Sequence, residues 1–152
     1  MASPFPFVAN AVLTAAQLNS IGEAWVSYTP TVLQGVAITK TIASARWTQV
    51  NKVVFVEINM QLTSAGTASA VIYVSLPTTA SAGAAAGVFN GPAGSAFFYD
   101  ASAGAGYTLV SVIQSVTQAT FLREGGNFFG PSPTVTIANG DHFTLCLTYE
   151  AA

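Results

Sequence analysis

In the stretch RWTQVNKVVFVEINMQL, residues 46–62, the apolar Val54, Val56, Ile58, Met60 and Leu62 alternate with the polar Glu57, Asn59 and Gln61. A period of two puts each set on its own face of an extended backbone, so the pattern predicts a strand with one face buried. Val53 and Phe55 break the polar set, which predicts that the first half is covered on both faces, by a second sheet and by something else. Asn51-Lys52 reads as the turn from a preceding strand over Arg46-Trp47-Thr48-Gln49-Val50.

The same alternation returns at the end of the chain. Phe143, Leu145, Leu147 and Tyr149 fall on one face, and His142, Thr144, Cys146 and Thr148 on the other. Between these stretches, further strands are predicted at Ile38 to Arg46, Val71 to Leu76, Val88-Phe89, Ala96 to Tyr99, Tyr107 to Val116, Ala119 to Glu124 and Thr134 to Ile137. Trp25 to Thr29, stopped by Pro30, reads as an edge strand. Gln34-Gly35, the turn at Gly66, Asn90-Gly91-Pro92, Ala101 to Gly106, Thr117-Gln118, Gly125 to Pro133 and Asn139-Gly140-Asp141 separate them. About eight to ten short strands with frequent turns predict an all-β chain, an antiparallel β-sandwich of jelly-roll type.

The chain divides into residues 1–24, an arm with a short helix, and residues 25–152, the sandwich. Pro4 and Pro6 stiffen an extended start, and Phe5 and Phe7, which alternate with them, need a surface to lie on. Thr14 with Gln17 makes a capping box, and Leu13 with Leu18 the accompanying staple, for a helix from Ala15 to Ile21 that stops at Gly22. A helix this short is marginal in water by itself. Leu18, Ile21 and Trp25 line one side of it, able to dock on its own domain or on symmetry mates.

Charge bounds the function. Asp, Glu, Lys and Arg make up 7% of the 152 residues and apolar residues 51%, where about a quarter charged is usual. Glycines and prolines break the uncharged run from Ile58 to Tyr99, so no transmembrane helix fits there. The start of the chain lacks a basic segment and a long apolar run, so no signal peptide is expected. A net charge of -2 without a Lys/Arg cluster argues against nucleic acid and against anionic membranes. A surface so short of charge has little protection as a free monomer, which predicts that it is covered in an oligomer or a larger assembly.

Chemistry-bearing residues are sparse. His142 beside Asp141 lacks a nucleophile elbow, and one His with one Cys makes no ligand-spaced metal cluster. Cys146 is the only cysteine and has no adjacent cation to activate it. Glu57, Asp100, Glu124, Asp141 and Glu150 could in principle supply a glycosidase pair, but Arg123-Glu124 and Gly140-Asp141 read as loop-end solvation instead. No catalytic residue, cofactor or metal is therefore expected. Among the aromatics, Phe97 and Phe98 read as core, whereas Phe128 and Phe129, in a Gly-flanked loop, read as a partner or glycan contact or as a local cap.

Three stretches together carry a resemblance. Val12 to Asn19 (VLTAAQLN) followed by Ala24 to Pro30 (AWVSYTP), then Arg46 to Val54 (RWTQVNKVV), and Gly140 to Phe143 closing on Thr148 to Ala151, resemble structural proteins of tailed bacteriophages. Such chains join a short helix to a jelly-roll domain and serve as head decoration, minor tail or fibre modules, frequently as trimers. The resemblance implies a non-enzymatic virion protein that forms a homotrimer, and the chain's departures from fibre proteins, in having no long repetitive shaft, and from full minor tail proteins, in being one domain, favour the capsid surface as its place. Its contacts with itself and with the major capsid protein or another virion protein would fall on Phe5, Phe7, Leu13, Leu18, Ile21 and Trp25. The alternative it implies is a tail or fibre module that reads host surface carbohydrate through Phe128 and Phe129.

Overall fold

The alternating stretch forms two paired strands in a single antiparallel sheet of ten. The computed structural model describes residues 24–85 and 93–152. Within them the chain is all-β and no helix occurs: β1 (Val26–Ser27), β2 (Val32–Gln34), β3 (Val36–Ile38), β4 (Lys40–Val50), β5 (Val53–Leu62), β6 (Ile72–Ser75), β7 (Gly94–Asp100), β8 (Ala105–Ser115), β9 (Gln118–Leu122) and β10 (His142–Glu150). Their order across the sheet is β1-β4-β5-β10-β7-β8-β9-β6-β2-β3. The expected arm, its Ala15 to Ile21 helix and the Val88-Phe89 strand lie outside the described residues.

Asn51-Lys52 turns β4 into β5 as expected, with Val50 opposite Val53. Asn51 has φ 57°, a left-handed backbone that asparagine tolerates better than most residues. The last strand, β10, lies in the middle of the sheet. It pairs with β5 over its whole length, from His142 opposite Gln61 to Glu150 opposite Val53, and with β7 on its other side.

Connectivity requires the sheet to curl. β3 is the last strand at one end and β4 is next to the other end, yet Thr39 alone separates them in the chain. Eight strand spacings of about 4.8 Å would put them about 38 Å apart in a flat sheet. A single linking residue spans only about 7 Å. The two ends of the sheet are therefore brought together, and the chain turns the corner at Thr39. Thr39 N donates to Ser64 Oγ at 2.9 Å, and Thr63 N donates to Thr39 O at 2.8 Å, which pins that corner.

The concave side holds one core. Val54, Val56, Ile58, Met60 and Leu62 are at most 2% exposed, and Phe143, Leu145, Leu147 and Tyr149 join them, so both alternation patterns point inward as predicted. Phe98 and Phe121 each pack edge-on against Phe143, with centroids 5.8 and 4.6 Å away. Each such side chain contributes about 1.5–3 kcal/mol by leaving water.

Two local expectations differ from the structure. Thr134 to Ile137 is not a strand, although Val135 and Ile137 are core residues. Pro131 and Pro133 remove two main-chain donors before it, and a side chain satisfies the segment instead: Gln34 Nε2 donates to Val135 O at 2.7 Å, and Ile137 N donates to Gln34 Oε1 at 2.8 Å. Gln34 itself, expected in a loop, ends β2 and is fully buried.

Candidate functional site

The parity that sends one set of side chains into the core sends the other onto the convex face of β5, β10, β7 and β8. Cys146 lies between Glu57 and Ser95, Thr144 between Asn59 and Phe97, and His142 between Gln61 and Tyr99. Thr148 faces Phe55 on one side, while Thr108 and Val110 of β8 continue the rows beyond Phe97 and Ser95. The result is a continuous four-strand surface of rings, β-branched side chains and hydroxyls.

Large apolar groups on it are open to solvent: Phe97 is 47% exposed, Val110 42%, Val53 41%, and Phe55 and Tyr99 39% each. Phe97 is therefore not the core residue expected from the run Phe97-Phe98-Tyr99. In a strand, neighbours take opposite faces, and Phe98 has the inner one. Val53 and Phe55, expected to be covered on both faces, have no second layer over them among the described residues.

The face carries few charges: of its carboxylates, Glu150 is exposed at the rim, where β10 ends. Glu57 is near its middle, and Arg46 of β4 neutralises it, with Nη2 and Nε donating to Glu57 Oε2 at 2.7 and 2.9 Å. Both groups are about half exposed, so this pair contributes little stability, but it cancels the charge. The Arg46 guanidinium also sits 4.8 Å from the centroid of the Trp25 ring. Trp25 itself is 46% exposed and precedes the edge strand β1.

Phe97 has a defined place. A Cβ at Gly106 would come 2.7 Å from Phe97 Cζ, so the ring lies across the bare backbone of Gly106 on the neighbouring strand. Beside it runs a shallow groove of about 250 Å³ lined by Ser95, Phe97, Thr108, Thr144 and Cys146. The Cys146 thiol is free and exposed within it.

The other expected site residues are distributed differently. Phe5, Phe7, Leu13, Leu18 and Ile21 lie outside the described residues. Phe129 is fully buried, 5.2 Å from Phe98 and 5.1 Å from Tyr107 between centroids, so it is a core residue and not a surface contact. Its neighbour Phe128 is half-buried.

Asp141, expected as a solvated turn residue, is completely buried. Its Oδ1 accepts from Ala101 N at 3.0 Å and its Oδ2 from Ala138 N at 2.8 Å, tying the β7–β8 turn to the turn before β10. The carboxylate is thus engaged by main-chain amides, while His142 is exposed on the convex face. Asp100 accepts from Ala103 N and Ser102 Oγ; burial raises its pKa, but these hydrogen bonds outweigh that and hold the group below the usual carboxylate range. Among the described residues no three His, Cys, Asp or Glu side chains converge on a common point, and no helix is long and apolar enough to cross a membrane.

No protein-family model, no curated protein and no solved structure matches this chain. The physical character of the convex face is what bears on function. It was hidden in the sequence because its residues, Phe55, Phe97, Tyr99 and Val110, are of the same types as the core. Strand parity is the signal that separates them: Phe97 and Tyr99 share a face with Ser95, and Phe98 with Ala96.

Proposed function

We propose that this chain is a non-enzymatic bacteriophage virion protein, a capsid decoration protein that forms a homotrimer and holds the capsid surface through the arm of residues 1–24. Its body would be a β-sandwich of jelly-roll type, a reading supported by the corner at Thr39, where one strand passes from one end of the sheet to the other. The observation that carries the proposal is the convex face: a broad surface poor in charge, with exposed Phe55, Phe97 and Tyr99, suits a protein lodged among other proteins. The phage-like stretches at residues 12–30, 46–54 and 140–151 supply the kind of assembly, and no cofactor, metal, nucleic acid or membrane enters it.

Deleting residues 1–24 tests the attachment. The truncated chain should keep its far-UV β signature and lose incorporation into purified particles, read by mass spectrometry of the particles. Undiminished incorporation removes the arm from the proposal.

A second reading is a tail or fibre module that binds host surface carbohydrate. The flat Phe97 ring beside the Ser95, Thr108 and Thr144 hydroxyls favours it, since a ring face and hydroxyls suit a sugar. With Phe129 buried, Phe128 is the remaining candidate of that loop. A glycan array with the wild type, Phe97→Ala and Phe128→Ala decides it: binding lost in either variant supports carbohydrate recognition, and an array without any binding eliminates it.

A further inference from the structure

We propose that copies of this chain meet through the convex face of β5, β10, β7 and β8, with the Phe97 and Cys146 groove at the centre of the contact. This rests on the reading above that copies of the chain associate, and it takes a two-fold pair in place of the trimer, because one patch meeting its own kind closes on two copies; the arm is then left for the capsid.

Area supports a second copy as the occupant. Four strands about 4.8 Å apart make a surface about 19 Å wide, and the nine residues of β10 extend it to about 30 Å. That is about 570 Å² before side-chain relief is counted, close to the roughly 800 Å² each partner gives to a stable specific interface. Charge supports it as well. Two like faces repel when they carry unpaired charge, and here the carboxylate nearest the middle, Glu57, is already held by Arg46, while the unpaired Glu150 lies at the rim where β10 ends and can stay in water. The remaining outward groups near the centre are Ser95, Phe97, Thr108, Thr144 and Cys146, which pack against their own kind without leaving an ion stranded.

Phe97 provides a fixed centre. Lying across Gly106, the ring is placed before any partner arrives, so little side-chain entropy is lost on contact. Desolvated rings at the middle of an interface carry a large share of its stability.

The single thiol at the centre makes the face measurable without mutation. In purified full-length protein, light scattering gives the mass while reaction with 5,5′-dithiobis(2-nitrobenzoate) reports access to Cys146. The assembled protein should react about a hundredfold slower than the guanidinium-unfolded chain. Phe97→Asp, checked for folding by circular dichroism, should convert the assembly to monomer and restore fast reaction. Val110→Asp, at the side of the same face, should do the same if Phe97→Asp fails to fold.

An assembly whose Cys146 reacts freely overturns this placement and leaves the oligomer itself standing. A monomer at every concentration overturns both. A monomer whose thiol is shielded until residues 1–24 are deleted also overturns it, because the face is then covered by the chain's own arm.

Discussion

Tyr28 and Tyr149 place two phenols where water is scarce. Tyr149 is 5% exposed and donates its hydroxyl to Thr78 O at 2.9 Å, and burial pushes its pKa from 10.0 up to about 12. Tyr28 is pushed up further, first by burial and then by the nearby Tyr149; its buried hydroxyl has no hydrogen-bond partner among the described residues. A folded pKa above the unfolded one means that the neutral phenol is favoured in the fold. The associated stability is complete below about pH 10 and is lost as pH rises through about 12. In an alkaline titration the two tyrosinates should therefore appear, by absorbance at 295 nm, only together with loss of the far-UV β signal. Their appearance near pH 10 in a folded chain would contradict the burial. Neither residue is marked as special in the sequence, and Gln34 illustrates why such residues are hidden: its buried partners Val135 and Ile137 are 101 and 103 positions away. Which polar side chain is enclosed depends on where distant segments cross, and local pattern holds no trace of that.

At the scale of elements, alternation carried most of the legible fold. β5 and β10 stand out because each keeps strict parity over nine or ten residues, and the hairpin at Asn51-Lys52 follows from a turn pair between two such runs. The β2–β3 hairpin was not legible, since each of its strands has three residues, too few for a period to show. Thr134 to Ile137 has the composition of a strand without being one, because the edge it would need is replaced by the amide of Gln34. The pairing of β7 with β10 depends on a residue that sequence alone reads as a turn former. A Cβ on Gly94 would collide with the main-chain carbonyl of Cys146 on the adjacent strand, and backbone cannot give way as a flexible side chain can. Gly94→Ala should therefore separate the start of β7 from β10 and cost about 3 kcal/mol or more, read as a lowered urea midpoint. Stability within about 0.5 kcal/mol of wild type would mean that the two strands are not so closely apposed.

The whole molecule has two surfaces of similar composition and opposite fate. The curled sheet encloses one set of Val, Ile, Leu and Phe side chains, and its convex side leaves Phe55, Phe97, Tyr99 and Val110 in water. Composition predicted a surface short of charge; the location of that shortage needed the strand order, because β10 joins the middle of the sheet from the far end of the chain. If copies meet on this face, their association is driven by apolar area with little help from ion pairs, and that has a measurable signature. Raising NaCl from about 0.1 M to about 1 M shortens the Debye length from about 10 Å to about 3 Å, which weakens contacts between exposed charges. Removal of apolar surface from water is not weakened by such screening and is strengthened by excluded salts such as sulfate. The mass of the assembly by light scattering should stay constant over the NaCl series, and sulfate should shift the dissociation midpoint to lower protein concentration. Dissociation in about 1 M NaCl would instead assign the contact to charged groups, and the few ions of this chain, Arg46 and Glu57 foremost, would have to bridge copies rather than pair within one.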